Sequence, residues 1–255
     1  MMTQAANNPI MAFEEEKSAL IESYGNDAAW KKLSGDWLRT AFEKKYMYNF
    51  SFMGRPIIQT PVDMIALHEI IWDVQPDLII EAGIAHGGSI IFSAAMLELN
   101  AACGGPADAG VLAIDIDIRA HNRDAIENHP MAKRITMLEG SSTSQEIIDQ
   151  VHDAAKGKKK VLVILDSNHT HEHVMAELEA YAPLTSVGSY CIVFDTIVED
   201  LPADMWPDRP WSPGDNPKTA VWEYLKSHPE FEIDQKMDNK LMISVAPNGY
   251  LKRVK

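Results

Sequence analysis

Three residues past the middle of the chain have the types and spacing for proton and metal chemistry. Asp166 and Asp195 each close an apolar run, and His169 follows Asp166 by three positions. Two converging carboxylates offer hard oxygen ligands suited to Mg2+, which keeps several waters and accepts substrate oxygens. A histidine beside a hydroxyl can remove its proton near neutral pH. His171 and His173 extend the motif to His-x-His-x-His. That is not a zinc-ligand spacing, and positions i and i+2 diverge on a helix. Asp166 and His169 are therefore the catalytic candidates, and Asp166 and Asp195 the metal candidates.

A second constellation runs Glu81-Ala-Gly83-Ile-Ala-His86-Gly87-Gly88-Ser89. It ends the apolar run at residues 78–82 and precedes a segment of apolar and small residues, which predicts a buried strand, a tight turn and a helix. Glycines at such a turn let a ligand approach the backbone, and the helix N-terminus offers free N–H groups. A dinucleotide fold wants G-x-G-x-x-G. Here the order is G-x-x-x-G-G, with an acid two residues before the first glycine. It is similar to the E/D-x-G-x-x-x-G pattern of S-adenosylmethionine-dependent methyltransferases. Glu81, Gly83, His86, Gly87 and Ser89 are thus cofactor candidates. Asp115 and Asp117 join them, because a carboxylate there can accept ribose hydroxyls; a turn or helix-cap acid is the competing explanation. Gly140, Ser141 and Ser142 form a small polar turn suited to an adenine edge, or cap the helix that follows. Asp166 completes the set.

These residues need a scaffold that brings strand ends together. Short apolar runs at 78–82, 111–117, 135–138, 161–166 and 190–195 alternate with helical segments near 88–100, 120–128, 144–156 and 171–183. That alternation predicts an α/β fold, a Rossmann-like, mostly parallel sheet with helices on both faces, whose ligands gather at the carboxyl ends of the strands. Pro61 opens a further helix at 62–74. The end differs: runs at 231–234, 241–245 and 250–254, with a turn at Pro247-Asn248-Gly249, predict antiparallel strands ending in a C-terminal hairpin, whose two strands beside the five parallel ones make a seven-stranded sheet. Residues 1–53 read as an N-terminal helical extension with a frayed tail over 1–12, and 54–255 as the cofactor-binding domain. Residues 201–217 form a long proline-rich stretch carrying Trp206, Arg209 and Trp211, expected as a lid or binding loop. Tyr46, Tyr48, Phe50 and Phe52 are expected in the opposite wall or in the core.

Composition narrows the function. The chain has 255 residues, 46% of them hydrophobic, and a formal net charge of −14. So acidic a protein argues against nucleic acid as partner, since phosphate binding needs a basic surface. No apolar run approaches the roughly 20 residues needed to span a bilayer. Residues 1–16 lack the basic and apolar regions of a signal peptide. The two cysteines, Cys103 and Cys191, read as reduced core or near-core thiols of a cytoplasmic protein. The aromatic N-terminal extension suits a homo-oligomer contact.

The stretches at residues 76–89, Asp115-Ile-Asp-Ile-Arg119, Leu165-Asp-Ser-Asn-His-Thr-His-Glu-His173 and Pro247-Asn-Gly-Tyr-Leu-Lys-Arg253 resemble the cephalosporin hydroxylase-like family. Its relatives include macrolide-sugar and rhamnosyl O-methyltransferases, and the resemblance covers about residues 54–254. It implies a class I S-adenosylmethionine-dependent O-methyltransferase, commonly with Mg2+, acting on a hydroxyl of a sugar, a sugar-containing natural product or a glycan, as in polysaccharide or antibiotic biosynthesis. It implies Asp166 as the acid after the fourth strand and His169 as the base. The family's acid pair after the fifth strand falls on Phe194 and Asp195. Phe194 cannot coordinate a cation, so metal binding needs a third group, with Thr196, Glu199 and Asp200 in reach by sequence, or it is weakened. Three other classes compete. An iron hydroxylase needs two histidines and a carboxylate on one metal face. A nicotinamide dehydrogenase is disfavoured by the glycine spacing. A scaffold with a residual cofactor pocket would bind without turnover.

Overall fold

The computed structural model describes residues 8–255. The chain opens with two helices, α1 (Pro9–Asn26) and α2 (Ala28–Glu43), capped by the side chains of Asn8 and Asp27. Residues 9–12, expected as frayed, belong to α1; the rest of the expected tail, 1–7, lies outside the described residues. A short hairpin follows, β1 (Phe50–Phe52) and β2 (Arg55–Ile57). Its turn is Met53-Gly54, both at positive φ, so the boundary expected between 53 and 54 falls inside one hairpin.

The alternating part follows the sequence closely. α3 (Pro61–Val74) begins at Thr60, whose hydroxyl accepts from the Asp63 N–H. Then come β3 (Leu78–Ala82), α4 (Gly88–Ala102), β4 (Gly110–Asp115), α5 (Ala120–Glu127), β5 (Ile135–Glu139), α6 (Gln145–Ala155), β6 (Val161–Leu165), α7 (His171–Tyr181) and β7 (Tyr190–Val193). Every residue of β3 and of β6 is buried, as continuous apolar runs require between two helical layers. After β7 come α8 (Pro217–Tyr224), β8 (Phe231–Ile233), α9 (Gln235–Leu241) and β9 (Tyr250–Arg253). The strand order is β5-β4-β3-β6-β7-β9-β8. The five strands β3 to β7 run parallel, and β9 pairs antiparallel with both β7 and β8. The fold is an open, mostly parallel seven-stranded α/β sheet with an antiparallel C-terminal edge and one apolar core on each face.

One strand was misplaced. The run at 241–245 is no strand: Leu241 ends α9, and residues 242–245 are irregular. The Asp234 carboxylate caps α9 through the Lys236 and Met237 N–H groups. The buried Asp63 carboxylate takes the Val245 N–H and the Ser244 hydroxyl. These local bonds consume donors that a strand would spend on a ladder. Pro247-Asn248-Gly249 is accordingly no hairpin turn. It is held by Asp238, which accepts from the Asn248 N–H and side-chain amide.

Candidate active site

The strand-to-helix turn after β3 is built on close backbone approach. Gly83 has φ +106, and a Cβ there would lie 2.0 Å from the Asp166 carbonyl oxygen, so no side chain fits. Gly87, at φ +83, starts α4, and a Cβ on Gly88 would meet the Pro56 carbonyl oxygen at 2.1 Å. Asp115 at the end of β4 binds this turn directly. Its Oδ2 accepts from the Ile84 and Ala85 N–H groups at 2.9 and 3.2 Å, and its Oδ1 from the Asp117 N–H at 3.1 Å. Asp115 is therefore both the turn acid and a wall of the cavity beyond it; a carboxylate has about four lone-pair sites, so it can still accept a hydroxyl.

That cavity, about 220 Å³, is lined by Gly83, Asp115, Ser141, Ser142, Asp166 and His173 among others. It sits at the carboxyl ends of β3, β4, β5 and β6, where a parallel sheet offers its ligand crevice. A larger cavity of about 780 Å³ adjoins it and contains His169 and Asp195. Ser167 lines both cavities. The large cavity is walled on one side by Phe42, Met47 and Tyr48 of the N-terminal segment and on the other by Met205, Trp206, Arg209 and Trp211. Trp206 packs edge-on against Phe42, with ring centroids 5.6 Å apart. Residues 201–216 carry no helix or strand beyond an isolated bridge between Ser212 and Asp215. Their far end is nonetheless anchored: Glu199 accepts from Gly214 and Asn216, and Asp215 accepts from the His171 N–H.

Asp166, His169 and Asp195 come together. One ligand atom from each lies within 4.8 Å of the others. His169 Nε2 is 3.1 Å from Asp195 Oδ2, and the His169 ring packs edge-on against Trp211 at 4.7 Å. Asp195 sits at φ +54, a left-handed position. Asp166 accepts from the Gln59 side-chain amide at 3.1 Å. Burial and the nearby charges of Asp195 and Glu81 push the Asp166 carboxyl well above its ordinary range. Glu81, 1% exposed, is pushed up to about 7 by burial, against hydrogen bonds from Ser89 and Ser93. Acids crowded this way favour a cation among them. The two carboxylates, with the His169 ring beside them, therefore fit a divalent ion. Phe194, 4% exposed, lies in the apolar core and supplies no ligand. The three substitutes proposed from sequence are all engaged elsewhere. Thr196 donates to the Pro247 carbonyl, Glu199 holds Gly214 and Asn216, and Asp200 pairs with Lys218.

Not every expected cofactor residue reaches the 220 Å³ cavity. Glu81 is buried beneath the turn. Ser89 and His86 line a smaller pocket on the β2 side, and the exposed His86 uses only its carbonyl, which accepts from Arg55. Asp117 faces solvent, and Gly140 holds the loop by donating to the Asp115 carbonyl. His171 is turned away onto Thr219 and Glu223. Three contributors were missed: Gln59, which no motif marks, Asn168, which lines the cavity, and His173, visible in the sequence only as a weak metal candidate.

Comparison with known proteins agrees with this architecture. The family model for rhamnosyl O-methyltransferase/CmcI matches residues 44–254. A rhamnosyl O-methyltransferase of Mycobacterium tuberculosis (strain ATCC 25618 / H37Rv) is 31% identical over 208 residues, covering 80% of this chain and 78% of that one. The Mycobacterium leprae (strain TN) rhamnosyl O-methyltransferase is 28% identical over 226 residues, covering 86% and 91%. Among solved structures, CmcI with Mg and SAM superposes with a TM-score of 0.56 at 20% identity over 82% of this chain and 78% of that chain. An O-methyltransferase from Bacillus cereus in complex with SAH gives 0.51 at 13% identity, over 78% and 81%. The chain belongs to the rhamnosyl O-methyltransferase/CmcI family, which makes it an enzyme of the S-adenosylmethionine-dependent O-methyltransferase class.

Proposed function

We propose that this S-adenosylmethionine-dependent O-methyltransferase methylates a hydroxyl of a sugar or sugar-containing acceptor, with His169 as general base. The observation that carries this is the meeting of two cavities at one short segment. Asp166 lines the cavity at the glycine turn, His169 lines the larger one, and Ser167 between them lines both. When bound, the cofactor supplies an already reactive methyl sulfonium, so the protein's task is alignment and exclusion of water. Gly83, Asp115, Ser141 and Ser142 hold the cofactor, while Glu81 beneath the turn and Gly87 and Ser89 at the start of α4 shape the turn without lining that cavity. Asp195 fixes the His169 ring through Nε2, leaving Nδ1 to take the acceptor proton. Asp166 and Asp195 would hold Mg2+, which would bind the acceptor oxygen and lower its affinity for the proton. Trp206 and Trp211 offer flat faces to the apolar side of a sugar ring. A sugar acceptor is supported by the names of the curated relatives, rhamnosyl O-methyltransferases.

The test is methyl transfer to a panel of rhamnosides and other glycosides, followed by S-adenosylhomocysteine release. His169→Ala should lower turnover by roughly 10²- to 10⁴-fold while S-adenosylhomocysteine affinity stays unchanged. An undiminished rate would remove His169 from the mechanism.

A cytoplasmic location is proposed on the two free thiols, one of which, Cys103, is exposed and would suit a reducing compartment. Burial differs from the near-core position expected for Cys103, because it caps the surface end of α4. No helix among the described residues is long and apolar enough to cross a membrane. We also propose a homo-oligomer. α1 buries none of its residues, and Ile10, Phe13, Leu33 and Trp37 leave apolar surface on α1 and α2. Sedimentation should give a mass of two chains or more; a monomer at micromolar concentration would refute it.

A further inference from the structure

His173 lines the cofactor cavity, and its Nε2 faces backward into a small polar network. Nε2 lies 3.1 Å from Ser142 Oγ, 3.2 Å from Ser167 Oγ and 3.3 Å from Glu177 Oε1. Glu177, one turn further along α7, is 0% exposed and also accepts from the Ser167 hydroxyl at 2.6 Å. Its second oxygen is buried without a partner. Tyr181 on the same helix donates to the Ser142 carbonyl. The two serines come from the loops after β5 and β6, so one buried acid and one imidazole tie together both loops that flank the cavity.

This arrangement favours one tautomer. A carboxyl oxygen behind Nε2 favours the proton on that nitrogen, which leaves Nδ1 with a lone pair. Nδ1 has no hydrogen-bond partner among the described residues. A cavity wall thus carries one fixed acceptor, beside the Ser141-Ser142 turn. Of the donors on an adenosyl cofactor, the ribose hydroxyls match the Asp115 carboxylate in the same cavity, and the exocyclic amino group of adenine matches an acceptor beside the Ser141-Ser142 turn.

We propose that His173 is a positioning and specificity residue that accepts from the adenine amino group, with Glu177 fixing its tautomer. The inference rests on the cofactor assignment of this cavity. It distinguishes adenine from a 6-oxo purine, which presents a carbonyl oxygen to the same nitrogen and would set lone pair against lone pair. To accommodate the 6-oxo base, the proton would have to move to Nδ1, and Nε2 would then face the Glu177 oxygen without a proton.

The test is calorimetric titration of the full chain with S-adenosylhomocysteine and with S-inosylhomocysteine, its 6-oxo analogue. The wild type should prefer the adenosyl ligand by at least roughly tenfold, the worth of one hydrogen bond. His173→Ala should bring the ratio close to one. Glu177→Gln, which can donate to Nε2 and drive the proton to Nδ1, should shrink or reverse the preference with the ring still in place. A merely structural role for His173 would weaken both ligands equally and leave the ratio alone. An unchanged ratio in His173→Ala with both ligands still binding overturns the inference alone. Failure of the wild type to bind S-adenosylhomocysteine overturns the inference together with the cofactor assignment beneath it.

Discussion

At the scale of single residues, the site is governed by acids held away from water. Glu81 shows the consequence for stability. Its folded pKa near 7 lies above the ordinary 4.5, so the folded protein binds this proton more tightly than the unfolded chain does. Its contribution is fully present below about pH 4.5 and fades as pH rises toward 7. Over that window the shift is worth roughly 3 kcal/mol. Glu81→Gln should therefore flatten the fall in melting temperature of the ligand-free protein between pH 5 and 8. Identical pH slopes for the two proteins would show that Glu81 is ionised at little cost. The acids and the histidine proposed for the site were legible as residues, because Asp166 and Asp195 end apolar runs and His169 follows at a fixed offset. Their partners were not. Gln59 meets Asp166 across 107 positions of sequence, and His173 meets Ser142 across 31. No local spacing encodes such pairs.

At the scale of elements, the parallel strands were readable because burial on both faces leaves unbroken apolar runs, as in β3 and β6. The same logic misled at 241–245, where Leu241 and Val245 are buried by a helix end and a loop. The run cannot reveal that Asp63, on α3, takes the Val245 N–H. α8 was missed although its start is written in Asn216-Pro217-Lys218-Thr219, a capping box with proline at the first turn. The β1–β2 hairpin escaped because three-residue strands carry too little alternation to register. Residues 201–216 kept their expected irregular character, with Pro217 opening α8, and they join the N-terminal segment in walling the large cavity. That wall makes a prediction. Trp206→Ala removes the edge-on contact with Phe42. It should raise the acceptor KM by roughly tenfold, about 1.4 kcal/mol, and leave the S-adenosylmethionine KM unchanged. A change confined to the cofactor KM would place Trp206 outside the acceptor site.

At the scale of the whole molecule, the design separates two tasks. The seven-stranded sheet presents the proposed cofactor crevice at its parallel strand ends, while the cavity proposed for the acceptor is completed by segments from outside that sheet. Phe42, Met47 and Tyr48 come from before the first sheet strand, and Trp206 and Trp211 from after β7. Acceptor choice can then vary with those segments while the crevice stays fixed, which is how one fold serves many acceptors. The glycine turn is the common element on which the account depends. Calorimetric titration with S-adenosylhomocysteine, in parallel with NADH, tests it most directly. The account predicts 1:1 binding of S-adenosylhomocysteine, with or without Mg2+, and none of NADH. Binding of NADH without S-adenosylhomocysteine, or of neither, would contradict it.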